Sequence, residues 1–181
     1  MSVIFGVLNP DGQATDEHQL AELAAATESY APDGTFLKTC GTISMGFQLW
    51  STHERSILES QPLIDGHGNM IAFDGRLDNH RDLCRLLELS AGETSDSKII
   101  STAFLRWREN CFQRFVGDWA ISLWSHRDRS LFLARDHAGT RTLYLETRDG
   151  RTRWSTYLET FLVGKASRSC SRVVLSVPGN R

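Results

Sequence analysis

The chain has 181 residues, of which 40% are hydrophobic and 23% charged, a balance that suits one globular domain with a buried core or one domain plus a short tail. Twenty basic and 22 acidic side chains leave a formal net charge of −2 without a block of five or six like charges, so neither a nucleic-acid partner nor an anionic membrane surface is expected. No run of 18 apolar residues suggests a transmembrane helix, and the first residues lack the pattern of a secretory signal, so the expectation is a cytoplasmic protein.

In chain order, the apolar run from Ser2 to Leu8 predicts a buried strand ended by Asn9-Pro10-Asp11-Gly12. Asp16, with Gln19 three residues on, predicts a capped helix carrying Leu20, Leu23, Ala24 and Ala26 to about Ser29. Aromatic and β-branched residues predict strands at Thr35 to Thr39 and Thr42 to Trp50, meeting at Gly41. Gln61-Pro62-Leu63 reads as a loop or edge segment. Asp65 to Asn69 reads as a turn, and Met70 to Phe73 as a strand entering Asp74-Gly75. Asn79 is a candidate cap for a helix over Asp82 to Leu89, and Ser95 or Asp96 for one from about Ser97 to Asn110. Strands follow at Asp118 to Ser125 and Leu131 to Arg135, joined through Arg127-Asp128-Arg129. A hairpin around Arg148-Asp149-Gly150 and a short helix from Tyr157 to Leu162 close the readable part. The five tryptophans read as core. Two sheets face to face with helices outside satisfy this order, as would an ordinary α+β arrangement.

Cys40, Cys84, Cys111 and Cys170 include no C-x-x-C pair and no His–Cys cluster with zinc spacing, so plain buried thiols are expected, without a disulfide framework or a metal site. The polar and basic stretch 164–181 continues the domain poorly. It reads either as a disordered tail or as sequence translated out of frame, leaving 1–163 as the domain.

Five segments together carry a family resemblance. Met1-Ser2-Val3-Ile4-Phe5-Gly6 is similar to a Met-Cys-x-Ile-x-Gly start, and Phe73-Asp74-Gly75-Arg76-Leu77-Asp78-Asn79 to x-N-G-E-I-Y-N. Thr94-Ser95-Asp96 resembles T-x-S-D, Phe115 to Ile121 resembles L-x-G-x-F-A-F, and Ala134-Arg135-Asp136-His137-Ala138-Gly139 with Leu143-Tyr144 resembles A-R-D-x-x-G-x-x-P-L-Y. In this order and spacing, the chain resembles the N-terminal class II glutamine-amidotransferase domain of the asparagine synthetase family. The version with Ser2 looks closest to asparagine-synthetase-like proteins such as lasso-peptide cyclases and β-lactam synthetases.

The resemblance implies a four-layer αββα sandwich of the N-terminal-nucleophile hydrolase type. It also implies a mechanism in which an N-terminal Cys, with its own α-amino group as base, attacks the glutamine side-chain amide. Ammonia then passes to a C-terminal synthetase domain that uses ATP and magnesium. That domain's S-G-G-x-D-S loop does not occur in this sequence, so no cofactor is expected in this chain.

Three matching positions depart from the family. Ser2 stands at the nucleophile, and an alkanol is far harder to ionise than a thiol. Asp74 stands where an Asn side chain, with the Gly75 N–H, would hold the developing oxyanion, and an ionised carboxylate has only acceptors. Gln48 falls near the Arg that grips the substrate α-carboxylate, with Arg55 close by. Asp96 matches the carboxylate that binds the substrate amine, and Gly75 is retained. The leading expectation is an amidotransferase-like domain without glutaminase activity, serving structurally beside a synthetase domain in cis or in trans. The alternatives are an active glutaminase using Ser2 to supply ammonia for asparagine synthesis, and a standalone non-catalytic binding module. Arg135-Asp136 reads as a structural ion pair.

Overall fold

A computed structural model describes residues 2–9, 12–15, 17–51, 56 and 58–162. One sheet runs in the order β2 (Thr35–Cys40), β3 (Ile43–Gln48), β1 (Val3–Leu8), β9 (Arg151–Ser155) and β8 (Tyr144–Arg148). The second runs β4 (Leu63–Ile64), β5 (Met70–Leu77), β6 (Gly117–Ser125) and β7 (Ser130–Arg135). Every pairing is antiparallel.

The period-two alternation of the strands sorts their side chains into three cores. Ile4, Ile43, Met45 and Phe47 of the first sheet meet Met70, Ala72, Ala120 and Trp124 of the second, with Trp154 between them. The opposite face of β1 (Val3, Phe5, Val7) packs under Leu20, Leu23 and Ala24 of α1 (Glu17–Ala25). The opposite faces of β5 and β6 (Ile71, Phe73, Leu77, Trp119, Ile121, Leu123) pack under α2 (His80–Leu87) and α3 (Asp96–Trp107). Helix, sheet, sheet, helix is the αββα sandwich that the family resemblance implies.

Local differences have local causes. Asn79 stands at the N-cap position of α2, as expected, but its side chain makes no cap hydrogen bond; its amide instead donates to Arg114 O at 2.8 Å and accepts from Val116 N–H at 3.1 Å, tying the helix start to the entry of β6. Ser95 is the α3 cap, accepting from Lys98 N–H at 3.2 Å. That helix ends at Trp107, where Arg108 takes a φ of 54° and a 3-10 stretch runs to Arg114. The helix expected over 157–162 is one 3-10 turn, Leu158–Phe161. Trp50 is no core residue: it follows β3 and is 45% exposed, while Trp119, Trp124 and Trp154 are buried. Asp16, Arg55 and the segment 164–181 lie outside the described residues. Among the described residues no helix is long and apolar enough to cross a membrane.

Trp154 is the largest fully buried side chain, and its ring lies so close over Gly6 that a Cβ there would come within 2.1 Å of it. Trp154→Ala is expected to cost about 3–5 kcal/mol in urea unfolding, because the sheets cannot collapse onto the void. A loss below about 1 kcal/mol would mean that the sheets do not depend on this contact.

Candidate active site

The cleft is built along an unpaired edge. β4 is two residues long and pairs only with Met70 and Ile71, so β5 is left without a neighbour on that side from Phe73 onward. The N–H groups of odd-numbered residues leave β5 on this edge. Phe73 N–H donates to Gln61 Oε1 at 2.6 Å and Leu77 N–H to Asp96 Oδ2 at 3.2 Å. Gly75 lies between them. Its φ of 138° and a Cβ position only 2.1 Å from Asp118 O exclude any other residue, and Gly117, which pairs with Leu77 from β6, has a φ of 140° and the same closeness to Arg76 O. These glycines let β5 and β6 close up where the cleft of ≈ 70 Å³ opens.

Ser2 precedes β1 in the other sheet and reaches this edge from across the sandwich. Its backbone N–H donates to the Asp74 carboxylate. Its hydroxyl accepts from Trp50 N–H at 3.1 Å. Asp74 lies on the inter-sheet face of β5, after Met70 and Ala72, and is buried.

A loop after β7 supplies the counter-charge. Burial pushes the Asp136 carboxyl up, but backbone N–H groups of Thr140 and Arg141, each at 3.0 Å, and of Trp119 at 3.4 Å outweigh it and hold the group below the usual carboxylate range. Asp136 is therefore an organiser of the loop through its backbone rather than through a partner at Arg135. Thr142 Oγ1 donates to Thr156 O at 2.7 Å and ties the loop to the end of β9. The result aims Arg141 into the cleft, with Nη1 3.6 Å from Asp74 Oδ2. Its Nε and Nη1 are buried without a hydrogen-bond partner.

The other end of the cleft is acidic. Asp96 is buried beside His80, whose Nε2 lies 3.7 Å from Asp96 Oδ1. Glu59 accepts from Ser97 N–H at 3.2 Å and from Gln61 Nε2 at 3.0 Å; burial above all, helped by the Asp96 charge, holds its carboxyl raised against the lowering pull of these hydrogen bonds.

Ser2, Asp74, Gly75 and Asp96 thus converge on one cleft. Gln48 does not join them. It lies on the opposite face of β3, fully buried, with Nε2 donating to Ala24 O at 2.7 Å and Oε1 accepting from Thr27 Oγ1 at 2.7 Å, so it anchors α1. Phe47 and Leu49 present themselves to the cleft instead. Arg141, Glu59 and Gln61 are cleft residues that sequence reading passes over. For Arg141 the one available signal is a cation placed two residues after the Asp136-to-Gly139 turn, which also describes an ordinary surface arginine.

Burial pushes the Asp74 carboxyl up to about 6, against the lowering pull of Arg141, the amino-terminal charge and the Ser2 N–H. A folded-state value above the ordinary 3.8 means that Asp74 favours folding only while protonated. That contribution is complete below about pH 4 and is lost as pH rises through about 6. Asp74→Asn is therefore expected to stabilise the chain at pH 8 by about 2–3 kcal/mol, with the difference vanishing near pH 4. Urea unfolding of both proteins across this range measures it. A variant less stable than the parent at pH 8 would show that the ionised carboxylate is held favourably.

The comparisons with known proteins agree with this architecture. A family described as "Glutamine amidotransferase domain" matches residues 1–175. "Asparagine synthetase [glutamine-hydrolyzing] 3" of Bacillus subtilis is 29% identical over 83 residues, 44% of this chain and 13% of that protein. A "Putative asparagine synthetase [glutamine-hydrolyzing]" of Mycobacterium tuberculosis is 30% identical over 87 residues, 46% of this chain and 13% of that protein. The matched stretch is thus a small fraction of each relative's length. Among solved structures, the glutamine phosphoribosylpyrophosphate amidotransferase of B. subtilis superposes with a TM-score of 0.70 at 14% identity, over 88% of this chain and 42% of that one, a likeness of fold alone. With the family match spanning nearly the whole chain and the sandwich placing Ser2 at its cleft, the chain belongs to the glutamine amidotransferase domain family.

Proposed function

We propose that this chain is the amidotransferase-type domain of an ATP-dependent, amide-forming ligase of the asparagine synthetase kind, and that it does not itself hydrolyse glutamine. It serves structurally beside a synthetase domain supplied in cis or in trans, and ATP and magnesium belong to that partner. Its Ser2-bearing start is in keeping with the branch of lasso-peptide cyclases and β-lactam synthetases, and its setting is cytoplasmic.

The observation that carries this reading is the buried Asp74 carboxylate accepting the Ser2 N–H. An amidotransferase of this type needs a neutral α-amine at its first residue to take the nucleophile's proton. A carboxylate beside that amine favours the ammonium form. The same carboxylate offers no donor to an oxyanion and repels it. Loss of one oxyanion donor costs about a hundredfold to a thousandfold, and a negative charge in its place costs more. The nucleophile is also a hydroxyl, and Gln48 holds α1 rather than a substrate carboxylate.

A second reading, Ser2 as a working nucleophile, draws support from the convergence of Ser2, Gly75 and Asp96 on one cleft. The two separate in a glutaminase assay. Glutamate release from glutamine is expected to equal that of a heat-denatured control, and Ser2→Cys alone is expected to stay at that level because Asp74 remains. Release well above the control by the parent chain would establish the second reading.

A further inference from the structure

The Ser2 cleft has opposite charges at its two ends. Arg141 is the cationic side chain among its described lining residues, next to Ser2, Asp74 and Gly75; Asp96 and Glu59 line the other end. Arg141 Nε and Nη1 are buried, and the 3.6 Å approach to Asp74 is an ion contact without a hydrogen bond. Buried guanidinium N–H groups left unsatisfied are costly, and a carboxylate meeting the guanidinium fork relieves two at once. The head also borders a second cavity of ≈ 370 Å³, walled by Thr140, Thr142, Tyr144 and Tyr157, which leaves it room to turn.

We infer that the cleft binds a short amino acid presenting a carboxylate, rather than an amide, toward Ser2, with Arg141 holding that carboxylate and Asp96 receiving the amine. L-Glutamate represents this class. The inference rests on the silent-domain reading: a cleft that does not hydrolyse the amide is free to prefer the acid. Asp74 adds a pH dependence. It faces Arg141 from the loop after β7, Tyr157 from the segment after β9, and the amino-terminal charge with the Ser2 N–H, while Glu59 and Asp96 lie across the cleft. When protonated, Asp74 becomes a donor to the incoming carboxylate; when ionised, it competes for Arg141 and repels the ligand. Binding is therefore tighter below pH 6 than above it.

Isothermal titration of the full chain with L-glutamate and with L-glutamine, at pH 5.5 and pH 8, tests this. Glutamate is expected to bind at least about tenfold more tightly than glutamine at pH 5.5, and to weaken by at least about tenfold at pH 8. Arg141→Gln removes the preference, while Arg148→Gln, at an exposed and remote arginine, keeps it. The comparison of ligands on the parent chain needs no variant, so a misfolded Arg141→Gln leaves the test intact. Equal or tighter glutamine binding, absence of glutamate binding at both pH values, or unchanged glutamate affinity in Arg141→Gln overturns the inference. Absence of glutamate binding without glutamine turnover overturns it alone, whereas turnover overturns the proposed function.

Discussion

A carboxylate buried at the meeting line of two sheets is the constraint around which this site is arranged. Asp74 sits on the inter-sheet face of β5, where Met70 and Ala72 already belong to the dry core, and burial penalises its charge. The fold answers with a cation from a distant segment. Arg141 arrives on a loop whose backbone is drawn into shape by Asp136, whose own carboxylate is well supplied with N–H donors. The sandwich supplies the rest: β1 in one sheet brings Ser2 to the edge of β5 in the other, and the short β4 leaves that edge open.

Function follows from which charge state the cleft supports. Ser2, Gly75 and Asp96 line one cleft, which under the proposed function is the scaffold of a hydrolytic site. On the proposed reading the chemistry at its centre is altered, because Asp74 puts an acceptor where that hydrolysis needs a donor. Arg141 partly neutralises this acceptor without restoring a donor at the same place. If the site is altered in this way, what it retains is shape and charge, which serve binding rather than turnover.

Much of the fold was legible in the sequence because strands buried on both faces and amphipathic helices write their period openly. β5 and β6 carry apolar residues on alternate faces, and the order of elements left few ways to cover them. Asn79 marked the start of α2 correctly but not its own bonding, because a residue type that favours caps also bridges backbone segments, and only the approach of Arg114 and Val116 decides between the two. Trp50 misled because it continues the β3 pattern just beyond the strand's end. In the site, Ser2, Asp74, Gly75 and Asp96 were readable from motif spacing. Gln48 was named by spacing too, yet a strand turns neighbouring residues to opposite faces, so an offset of one residue separates the cleft from the α1 face. Arg141 was not legible at all, since its role depends on a loop conformation set by Asp136 and on a partner 67 positions earlier in the sequence.

The most direct test of a silent centre is whether Ser2 can be made to react. An electrophilic glutamine analogue, such as a diazoketone in place of the side-chain amide, is attacked only by an activated nucleophile in a site that positions it. After prolonged incubation with the native chain at neutral pH, intact-mass analysis is predicted to show the unmodified protein. A single adduct mapped to Ser2 would contradict the account, because it would require a neutral amine, a competent hydroxyl and a tolerated oxyanion beside Asp74.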